Sequence, residues 1–518
     1  MSILVLDFGS QYSHLICRRL REIGAYSELR SCAITIDQIE HFKPTGIILS
    51  GGPSSVYASD APHLSVELWD WIERNNVPLL GICYGLQEMV HALGGKVEKC
   101  NKREFGMAEL HVIESTGLFD EIPSSTVWMS HGDKVICLPK GFAPLASSGS
   151  TEFCAVADPA RRFFGVQFHP EVSHTLHGAL LFRNFCKIAN CPLDWNMHAF
   201  FTTELASLKE KIGSEVHVVG AVSGGVDSTV AAALLHRAIG KRFHPFMIDT
   251  GLLRKDEAAE VKQRLEKHLD GMELTVIDES TRFFDALVGL KDPEEKRKVI
   301  GRLFIESFER AVVDVLGMDP KKCLLLQGTL YPDVIESSSH KGPSHTIKTH
   351  HNVGGLPERM QMRILEPLRM LFKDEVRALG RELGLPKESV NRHPFPGPGL
   401  AIRIKGEVTR KHADILREAD KIFIEELKRA GEYDKISQAL AILCPDVRTV
   451  GVMGDGRTFE MLCCLRAVES SDFMTADWYR MPYDLLAVIS SRITNEVNGI
   501  NRVCYDISSK PPATIEWE

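Results

Sequence analysis

The segment from 222 to 229, Val-Ser-Gly-Gly-Val-Asp-Ser-Thr, constrains this chain more than any other. It follows an apolar run, residues 216–221, that predicts a buried strand, and it precedes an alanine- and leucine-rich run, residues 230–239, that predicts a helix. A glycine turn between a strand and a helix presents backbone N–H groups and the positive end of the helix to phosphate. The sequence therefore predicts a phosphate loop on an α/β sheet.

The side chains of this phosphate loop suit a nucleotide. Ser223, Ser228 and Thr229 offer hydroxyl donors, and Asp227 offers an oxygen ligand for Mg²⁺. The loop lacks the Gly-Lys-Ser/Thr ending of a Walker A loop, so transfer of the γ-phosphoryl group is disfavoured. Cleavage between the α- and β-phosphates fits better. The alternative is a plain serine–glycine turn before a helix.

Composition limits the classes to which the chain can belong. At 518 residues it is too long for one hydrophobic core, and 44% hydrophobic with 25% charged residues is typical of a globular protein. The net charge of −8 disfavours a long nucleic-acid surface, which needs clustered Lys and Arg. No apolar run approaches the ~20 residues that span a bilayer, and the start lacks a basic leader. Thirteen scattered cysteines without CxxC pairs predict reduced thiols in the cytosol.

Residues 1–195 alternate short apolar runs with helical patterns, which predicts an open α/β sheet. The apolar runs are residues 3–6, 46–49, 78–82 and 163–168. Between a predicted strand and helix, Leu80–Gln87 contains Gly-x-Cys-x-Gly, a nucleophile elbow with sulfur in place of hydroxyl. The turn exposes the Cys83 thiol at a helix N-terminus, which favours the nucleophilic thiolate. Cys83 is therefore the predicted nucleophile, and most other cysteines are expected to be structural.

A cysteine nucleophile needs a base, and the base needs an acid that fixes its tautomer. His169 ends a predicted strand, and Glu171 follows two residues later. At another strand end, Gly51 and Gly52 offer N–H donors for a tetrahedral oxyanion. A structural histidine and a plain glycine turn remain the alternatives.

Cys83, His169, Glu171 and the Gly51–Gly52 turn together resemble the class I, triad-type glutamine amidotransferases. Ser-His-Gly-Asp at 130–133 matches another segment of that family, near its glutamine pocket. The resemblance implies attack of the thiolate on the glutamine side-chain amide, release of ammonia, and hydrolysis of the thioester to glutamate. The implied oxyanion and glutamine-binding residues are Gly51, Gly52, Tyr84, Gln87, Ser130, His131 and Asp133.

Residues 196–395 predict a second parallel α/β sheet. Gln327–Asp333 follows one of its predicted strands, where ligands bind, and Asp333 is a candidate second carboxylate for Mg²⁺. A helix cap is the alternative role for Asp333. The polar, glycine-rich segment 347–357 predicts a lid over a triphosphate with Lys348 as its cation, and a plain surface loop is the alternative.

A proline- and glycine-rich run at 393–401 predicts a stiff connector. Beyond it, a helical pattern and several strand-like runs predict a smaller α+β unit. The predicted fold class is thus α/β, with two consecutive open parallel-sheet domains, residues 1–195 and 196–395, followed by a small α+β C-terminal domain, residues 396–518.

The phosphate loop resembles the pyrophosphate loop of the N-type ATP pyrophosphatases, which adenylate their substrates. An amidotransferase placed ahead of such a domain, with Gln327–Asp333, His393–Ala401 and the Lys-Pro-Pro tail at 510–512, resembles the family of glutamine-hydrolysing GMP synthases over essentially the whole chain. That resemblance implies that xanthosine 5′-monophosphate (XMP), ATP and glutamine are converted into GMP, AMP, pyrophosphate and glutamate, with Mg²⁺ on the phosphates. It also implies a homodimer through the C-terminal domain.

The same resemblance extends to the residues that hold the nucleotides and the metal. The predicted ATP-binding residues are Ser223, Gly224, Gly225, Val226, Asp227, Ser228, Thr229 and Lys348. The predicted XMP-binding residues are Arg297, Gln438, Asp455, Lys510 and Glu516. The predicted Mg²⁺ ligands are Asp227 and Asp333. For Arg297, which lies in a Lys-Arg-Lys run, a solvated basic face is the alternative.

Three other functions compete with this one. A glutamine-dependent NAD synthetase would carry a nitrilase-type glutaminase in place of the cysteine elbow. An RNA-thiolating sulfurtransferase would need a persulfide cysteine near the ATP site and a basic surface, whereas the middle domain holds only Cys323. A regulatory nucleotide-binding protein would have no use for the intact set Cys83, His169 and Glu171.

Overall fold

Two separate parallel-strand cores organise this structure, a computed structural model that describes residues 2–10, 12–338, 362–453, 456–470, 473 and 475–518. The chain divides into two units, residues 1–200 with 332–354 and residues 201–331 with 355–518. Lys348, the surrounding segment 347–357, and Asp455 lie outside the described residues. The domain boundaries at 195/196 and 395/396 stay predictions.

In residues 1–200, nine strands pair in one sheet of order β2-β1-β3-β4-β9-β8-β7-β5-β6. The strands are β1 Ile3–Asp7, β2 Ser27–Ser31, β3 Gly46–Leu49, β4 Leu79–Ile82, β5 Lys96–Val112, β6 Ser125–Cys137, β7 Ala143–Ser148, β8 Ala155–Asp158 and β9 Phe163–Val166. The helices are α1 Ser13–Glu22, α2 Ile36–Phe42, α3 Val66–Arg74, α4 Tyr84–Ala92 and α5 Gly178–Ile188. Helix α6, Met197–Ile212, runs across position 200.

The predicted open parallel sheet is confirmed for β2-β1-β3-β4-β9, whose neighbours all pair in parallel. Every residue of β3, β4 and β9 is buried, as expected for parallel strands covered on both faces. The remaining strands, β8, β7, β5 and β6, extend the sheet antiparallel. Strand β6 was not predicted, because its buried residues alternate with partly exposed ones along much of its length and form no continuous apolar run.

The second unit contains the other nine strands. They are β10 His217–Ala221, β11 Phe243–Asp249, β12 Thr275–Asp278, β13 Cys323–Leu326, β14 Arg363–Leu365, β15 Gln438–Met453, β16 Gly456–Glu469, β17 Asp477–Trp478 and β18 Ile500–Tyr505. Its helices are α7 Val226–Ile239, α8 Glu257–His268, α9 Ser280–Leu287, α10 Pro293–Leu316, α12 Lys373–Glu382, α13 Lys387–Val390, α14 Arg410–Arg429 and α15 Tyr483–Glu496. Helix α11, Tyr331–Ser338, begins at the last residue before position 332 and otherwise belongs to the first unit.

The first sheet of this unit is parallel throughout, with the order β12-β11-β10-β13-β14. The strand order reverses between β10 and β13, so the carboxyl ends of these two strands flank the crevice in which such folds bind ligands. The phosphate loop follows β10, and Gln327 follows β13. The predicted second α/β sheet is therefore confirmed, with its loops at the switch point.

The second sheet of this unit is built on the long hairpin β15–β16, to which β17 and β18 add. Its core continues into the parallel-sheet region: Ile248 and Phe283 belong to the same buried cluster as Leu400, Phe423 and Leu465. Residues on both sides of position 395 thus share one hydrophobic core.

Within the described ranges, no helix combines the length and the apolar character that a membrane crossing requires.

Candidate active sites

Cys83 occupies a sharp turn between β4 and α4. Its φ of 52° lies in the left-handed region that non-glycine residues seldom adopt. A Cβ at Gly81 would lie 2.6 Å from the backbone of Gly85, and a Cβ at Gly85 would lie 2.3 Å from the carbonyl oxygen of Leu49. Only glycine fits at either position, so the two glycines of the elbow allow the turn that places the thiol at the start of α4.

His169 and Glu171 form a buried pair beside this thiol. His169 Nδ1 lies 2.7 Å from Glu171 Oε1, and the two side chains are 4% and 0% exposed. Burial lowers the pKa of His169, but the Glu171 carboxylate and the Cys83 thiol offset this and hold that pKa well above its ordinary value. The Nε2 atom is buried and makes no hydrogen bond to the residues that the structure describes. The arrangement favours an imidazolium with a free N–H next to a nucleophilic sulfur.

Two further groups lie near the sulfur atom. The Sγ of Cys83 is 3.6 Å from the carbonyl oxygen of Ser130 and 3.6 Å from Nε2 of Gln167. Gln87 Nε2 donates to the Asp133 carbonyl at 2.9 Å and lies 3.3 Å from Gln167 Oε1. Gln87 is therefore bonded to the backbone of β6, and this strand forms one wall of the site. Gln167 carried no sequence signal other than its place two residues before His169.

The Gly51–Gly52 turn closes another side of the site. A Cβ at Gly51 would lie 3.2 Å from Cε1 of His169. A Cβ at Gly52 would lie 2.8 Å from the Phe8 carbonyl oxygen and 3.2 Å from the ring of Tyr84. The turn thus packs directly against the predicted base and the residue after the nucleophile, where an oxyanion donor has to be.

His131 lies on the wall formed by β6. Burial lowers its pKa despite the nearby Glu104 carboxylate, whose Oε2 is 3.1 Å from His131 Nε2. The other ring nitrogen, Nδ1, lies 3.0 Å from the Asp133 carbonyl oxygen. The structure thereby brings together all ten residues predicted for the first site, with His131 and Asp133 as supports.

The second site starts at the phosphate loop. Gly224 has a φ of +72°, and a Cβ there would lie 2.6 Å from Val261. Gly225 caps the N-terminus of α7. The side-chain oxygens of Ser223 and Ser228 lie 3.0 Å apart, and the backbone N–H of Ser223 donates to Ser228 Oγ at 3.2 Å. The predicted strand–turn–helix geometry is present, with the phosphate loop at the N-terminus of α7.

Asp227 faces a lysine that the sequence did not point to. Lys373 Nζ, at the start of α12, lies 2.5 Å from Asp227 Oδ2. The other carboxylate oxygen, Oδ1, is buried without a hydrogen bond among the described residues. Arg392 donates to the Gly224 carbonyl oxygen at 3.0 Å, which places a second unanticipated cation at the loop. Gln327 Oε1, after β13, is likewise buried without a described partner.

Two predicted XMP residues meet near the end of the chain. Gln438 Nε2 donates to Glu516 Oε1 at 2.7 Å. Arg403, fully buried, binds the same carboxylate through Nε at 3.1 Å and Nη2 at 2.8 Å. Burial lowers the pKa of Arg403, but Glu516 and Asp420 offset this and raise it. Arg403 lies two residues beyond the predicted connector at 393–401, in a segment that carried no sequence signal for a binding role.

The other predicted nucleotide residues that the structure describes make contacts of their own. Arg297 Nη2 donates to the Glu518 carbonyl oxygen at 2.5 Å, while its neighbour Lys296 binds Glu518 Oε2 at 2.5 Å. Lys510 Nζ donates to the Phe473 carbonyl oxygen at 2.7 Å. Asp333 lies in the first turn of α11. Arg297 is therefore bonded to the tail and is not a solvated basic face.

Known proteins resemble this chain over its whole length. The family described as Glutamine amidotransferase class-I matches residues 4–189, and the family described as GMP synthase C terminal domain matches residues 425–517. Among relatives named GMP synthase [glutamine-hydrolyzing], that of Candida glabrata is 54% identical over 100% of this chain and 98% of its own length. Those of Saccharomyces cerevisiae and Aquifex aeolicus are 53% and 54% identical, over 100% of this chain and 98% and 99% of theirs. The chain belongs to the family of glutamine-hydrolysing GMP synthases.

Proposed function

We propose that this chain releases ammonia from glutamine at Cys83 and uses it, with ATP, to convert XMP into GMP. The buried Cys83–His169–Glu171 arrangement carries the proposal, because a triad with a 2.7 Å base–acid contact at a cysteine elbow is built for acyl transfer. We infer XMP as the acceptor from the relatives of 53–54% identity, which are named GMP synthase [glutamine-hydrolyzing].

In the first reaction the Cys83 thiolate attacks the amide carbon of glutamine. His169, protonated at Nε2, gives its proton to the departing nitrogen, so that ammonia leaves and a glutamyl thioester remains. His169 then takes a proton from water, whose oxygen attacks the thioester and releases glutamate. Glu171 keeps the imidazole oriented and stabilises its charge, while N–H groups of the Gly51–Gly52 turn stabilise the oxyanion.

In the second reaction ATP binds at residues 223–229, with its phosphates on the N–H groups that open α7. The XMP O2 oxygen attacks the α-phosphate, pyrophosphate leaves, and ammonia then displaces AMP from C2 to give GMP. Lys373 and Arg392 are the described cations at this loop, so we add them to the predicted ATP-binding residues. Lys348 stays a prediction.

Mg²⁺ is the cofactor of this step in our proposal, and Asp227 suits it. Its buried Oδ1 atom lacks a hydrogen-bond partner among the described residues, as expected of an oxygen that a hard cation would take. When bound, Mg²⁺ offsets the charge that develops on the departing pyrophosphate. Asp333 remains the candidate second ligand.

For XMP, we propose Arg297, Gln438 and Glu516 as the recognition set, with Lys510 and Asp455 as further candidates. Gln438 and Glu516 are already joined at 2.7 Å and supply an amide and a carboxylate that could pair with the polar edge of a purine. Arg297 offers a guanidinium for the phosphate.

We also propose a homodimer, through the β15–β16 hairpin. Val450 and Phe459 pair across it, and with Val452 they expose apolar side chains that are 46%, 61% and 77% accessible on one face. Val452→Asp should turn the dimer into a monomer in light scattering after gel filtration. We place the enzyme in the cytosol, because its described cysteines are free thiols.

The first experiment is product analysis with Mg-ATP, XMP and ammonium chloride, without glutamine. GMP, AMP and pyrophosphate in equal amounts support the proposal. AMP and pyrophosphate without GMP would point to another acceptor, and the absence of ATP cleavage would leave a regulatory nucleotide-binding protein.

A further inference from the structure

A second cluster of reactive side chains lies on α4, beyond Cys83. Glu88 and His91, three positions apart, share one face of this helix. His63 comes from the loop that follows the Gly51–Gly52 turn. Donor atoms of the three side chains all lie within 4.8 Å of one another, and His63 Nδ1 is 2.7 Å from Glu88 Oε2. The glutaminase reaction described above uses none of the three.

The Glu88 carboxylate is buried, with 1% of its side chain exposed. Its Oε1 accepts a hydrogen bond from the Leu64 backbone N–H at 3.1 Å, and its Oε2 faces His63. Neither partner carries a permanent positive charge. A buried carboxylate of this kind is stabilised by a cation, and two imidazoles beside it select a transition metal over Mg²⁺ or Ca²⁺.

We propose that His63, Glu88 and His91 bind one Zn²⁺ ion. Two imidazole nitrogens and one carboxylate oxygen are a known Zn²⁺ ligand set, and the fourth position is then open to water. At Zn–N distances of ~2.0–2.1 Å, two donors on a tetrahedral ion are about 3.3 Å apart. Two donor atoms that are 4.8 Å apart therefore have to approach each other by about 1.5 Å at most to bind the same ion. The His63 side chain is 40% exposed and can rotate to do this.

The position of the cluster gives the ion a structural role. The loop 53–64 already contacts α4, because Tyr84 Oη donates to the Pro62 carbonyl oxygen at 2.7 Å and the Tyr57 ring packs edge-on against His91 at 5.2 Å. The ion cross-links the loop that follows the oxyanion glycines to the helix that begins directly after Cys83. It holds the two halves of the glutaminase site together and does not touch glutamine.

The test is titration of the full chain with Zn²⁺ by calorimetry and with Co²⁺ by absorption. Both are done in a Cys83→Ala background, so that the active-site thiol cannot act as a ligand. His63→Gln and His91→Gln remove ligands, and His41→Gln is the matched control, since His41 is an exposed histidine on α2.

We expect one equivalent of Zn²⁺ in the background protein and in His41→Gln, with affinity lowered ~100-fold in each ligand variant. Melting curves check that the variants are folded, and saturating Zn²⁺ should raise the melting temperature by about 5 °C only where the site is intact. Equal binding in all proteins, no binding in any, or a Co²⁺ spectrum with thiolate charge-transfer bands would overturn the assignment.

Discussion

The two reaction sites of this chain are built in opposite ways. At Cys83 the reacting groups are buried and already aligned, with His169 and Glu171 2.7 Å apart. At the phosphate loop Ser223 is exposed, and the Asp227 carboxylate is held by Lys373 at 2.5 Å. Acyl transfer depends on side chains aligned before the substrate arrives. A triphosphate brings its own charge, so its site needs backbone N–H groups and cations that can exchange partners.

The sharpest way to separate the two sites is Cys83→Ala. Glutamine-dependent GMP formation should fall at least 10⁴-fold, roughly the effect of removing a covalent nucleophile. Ammonium-driven synthesis should continue, because the residues of the phosphate-loop site are unchanged in this variant. Parallel assays with glutamine and with ammonium chloride measure both. Cys137→Ser, at an exposed thiol, is the control, and loss of both activities would show that Cys83 supports the fold.

Glu171→Gln tests the alignment of the first site. We expect glutaminase activity to fall roughly 10³-fold, since the base loses the group that fixes its tautomer. Its pH profile should also change. Burial lowers the pKa of His169 and Glu171 raises it, so without the carboxylate the pKa drops and the alkaline limb of the profile moves to lower pH.

The same shift has a consequence for stability. Because the folded-state pKa of His169 lies above its ordinary 6.5, its contribution to the free energy of unfolding is complete below about pH 6.5. It is lost as the pH rises through the raised pKa, and Glu171→Gln should remove this dependence. Denaturant titrations at several pH values measure it. Glu109→Gln, at an exposed site, is the control for both measurements. If Glu171→Gln leaves the alkaline limb of the activity profile unchanged, the assigned His169–Glu171 pair is contradicted.

Asp227→Asn tests the phosphate-loop site. It removes the carboxylate that we propose for Mg²⁺, and ATP-dependent XMP amination should fall about 10²-fold, or a few kcal/mol in the barrier. Basal glutaminase activity should stay, because the first site is complete without it. Pyrophosphate release reports the loss. Asp314→Asn, exposed on α10, is the control, and full activity with a normal Mg²⁺ requirement would argue against Asp227 as a ligand.

The smallest effect is expected from Gly51→Ala. The new Cβ would lie 3.2 Å from His169 Cε1, so the imidazole has to shift by a few tenths of an ångström. Misplacement on that scale should cost roughly tenfold in glutaminase kcat. Gly149→Ala is the matched control, because a Cβ there meets nothing within 4 Å. If both variants are equally active, alignment at the first site is looser than its contacts imply.

Local patterns predicted much of this molecule. The elbow at Cys83 and the phosphate loop at 222–229 could both be predicted, because in each an apolar strand, a glycine turn and a helix follow one another directly along the chain. The helix predicted at 230–239 is present, although it starts earlier, at Val226. The antiparallel half of the first sheet was not foreseen, since β6 is half-buried and β8, although fully buried, has only four residues.

The amino-acid sequence established which chemistry is available: a cysteine nucleophile with a histidine and a carboxylate, and a phosphate loop without a Walker lysine. The partners of these groups emerged from the folded chain, which places Gln167 beside Cys83, Lys373 on Asp227 and Arg403 on Glu516. The physical reason is range. Periodicity and turn chemistry act between near neighbours, whereas these contacts join residues 84, 146 and 113 positions apart and form only when whole sheets have packed.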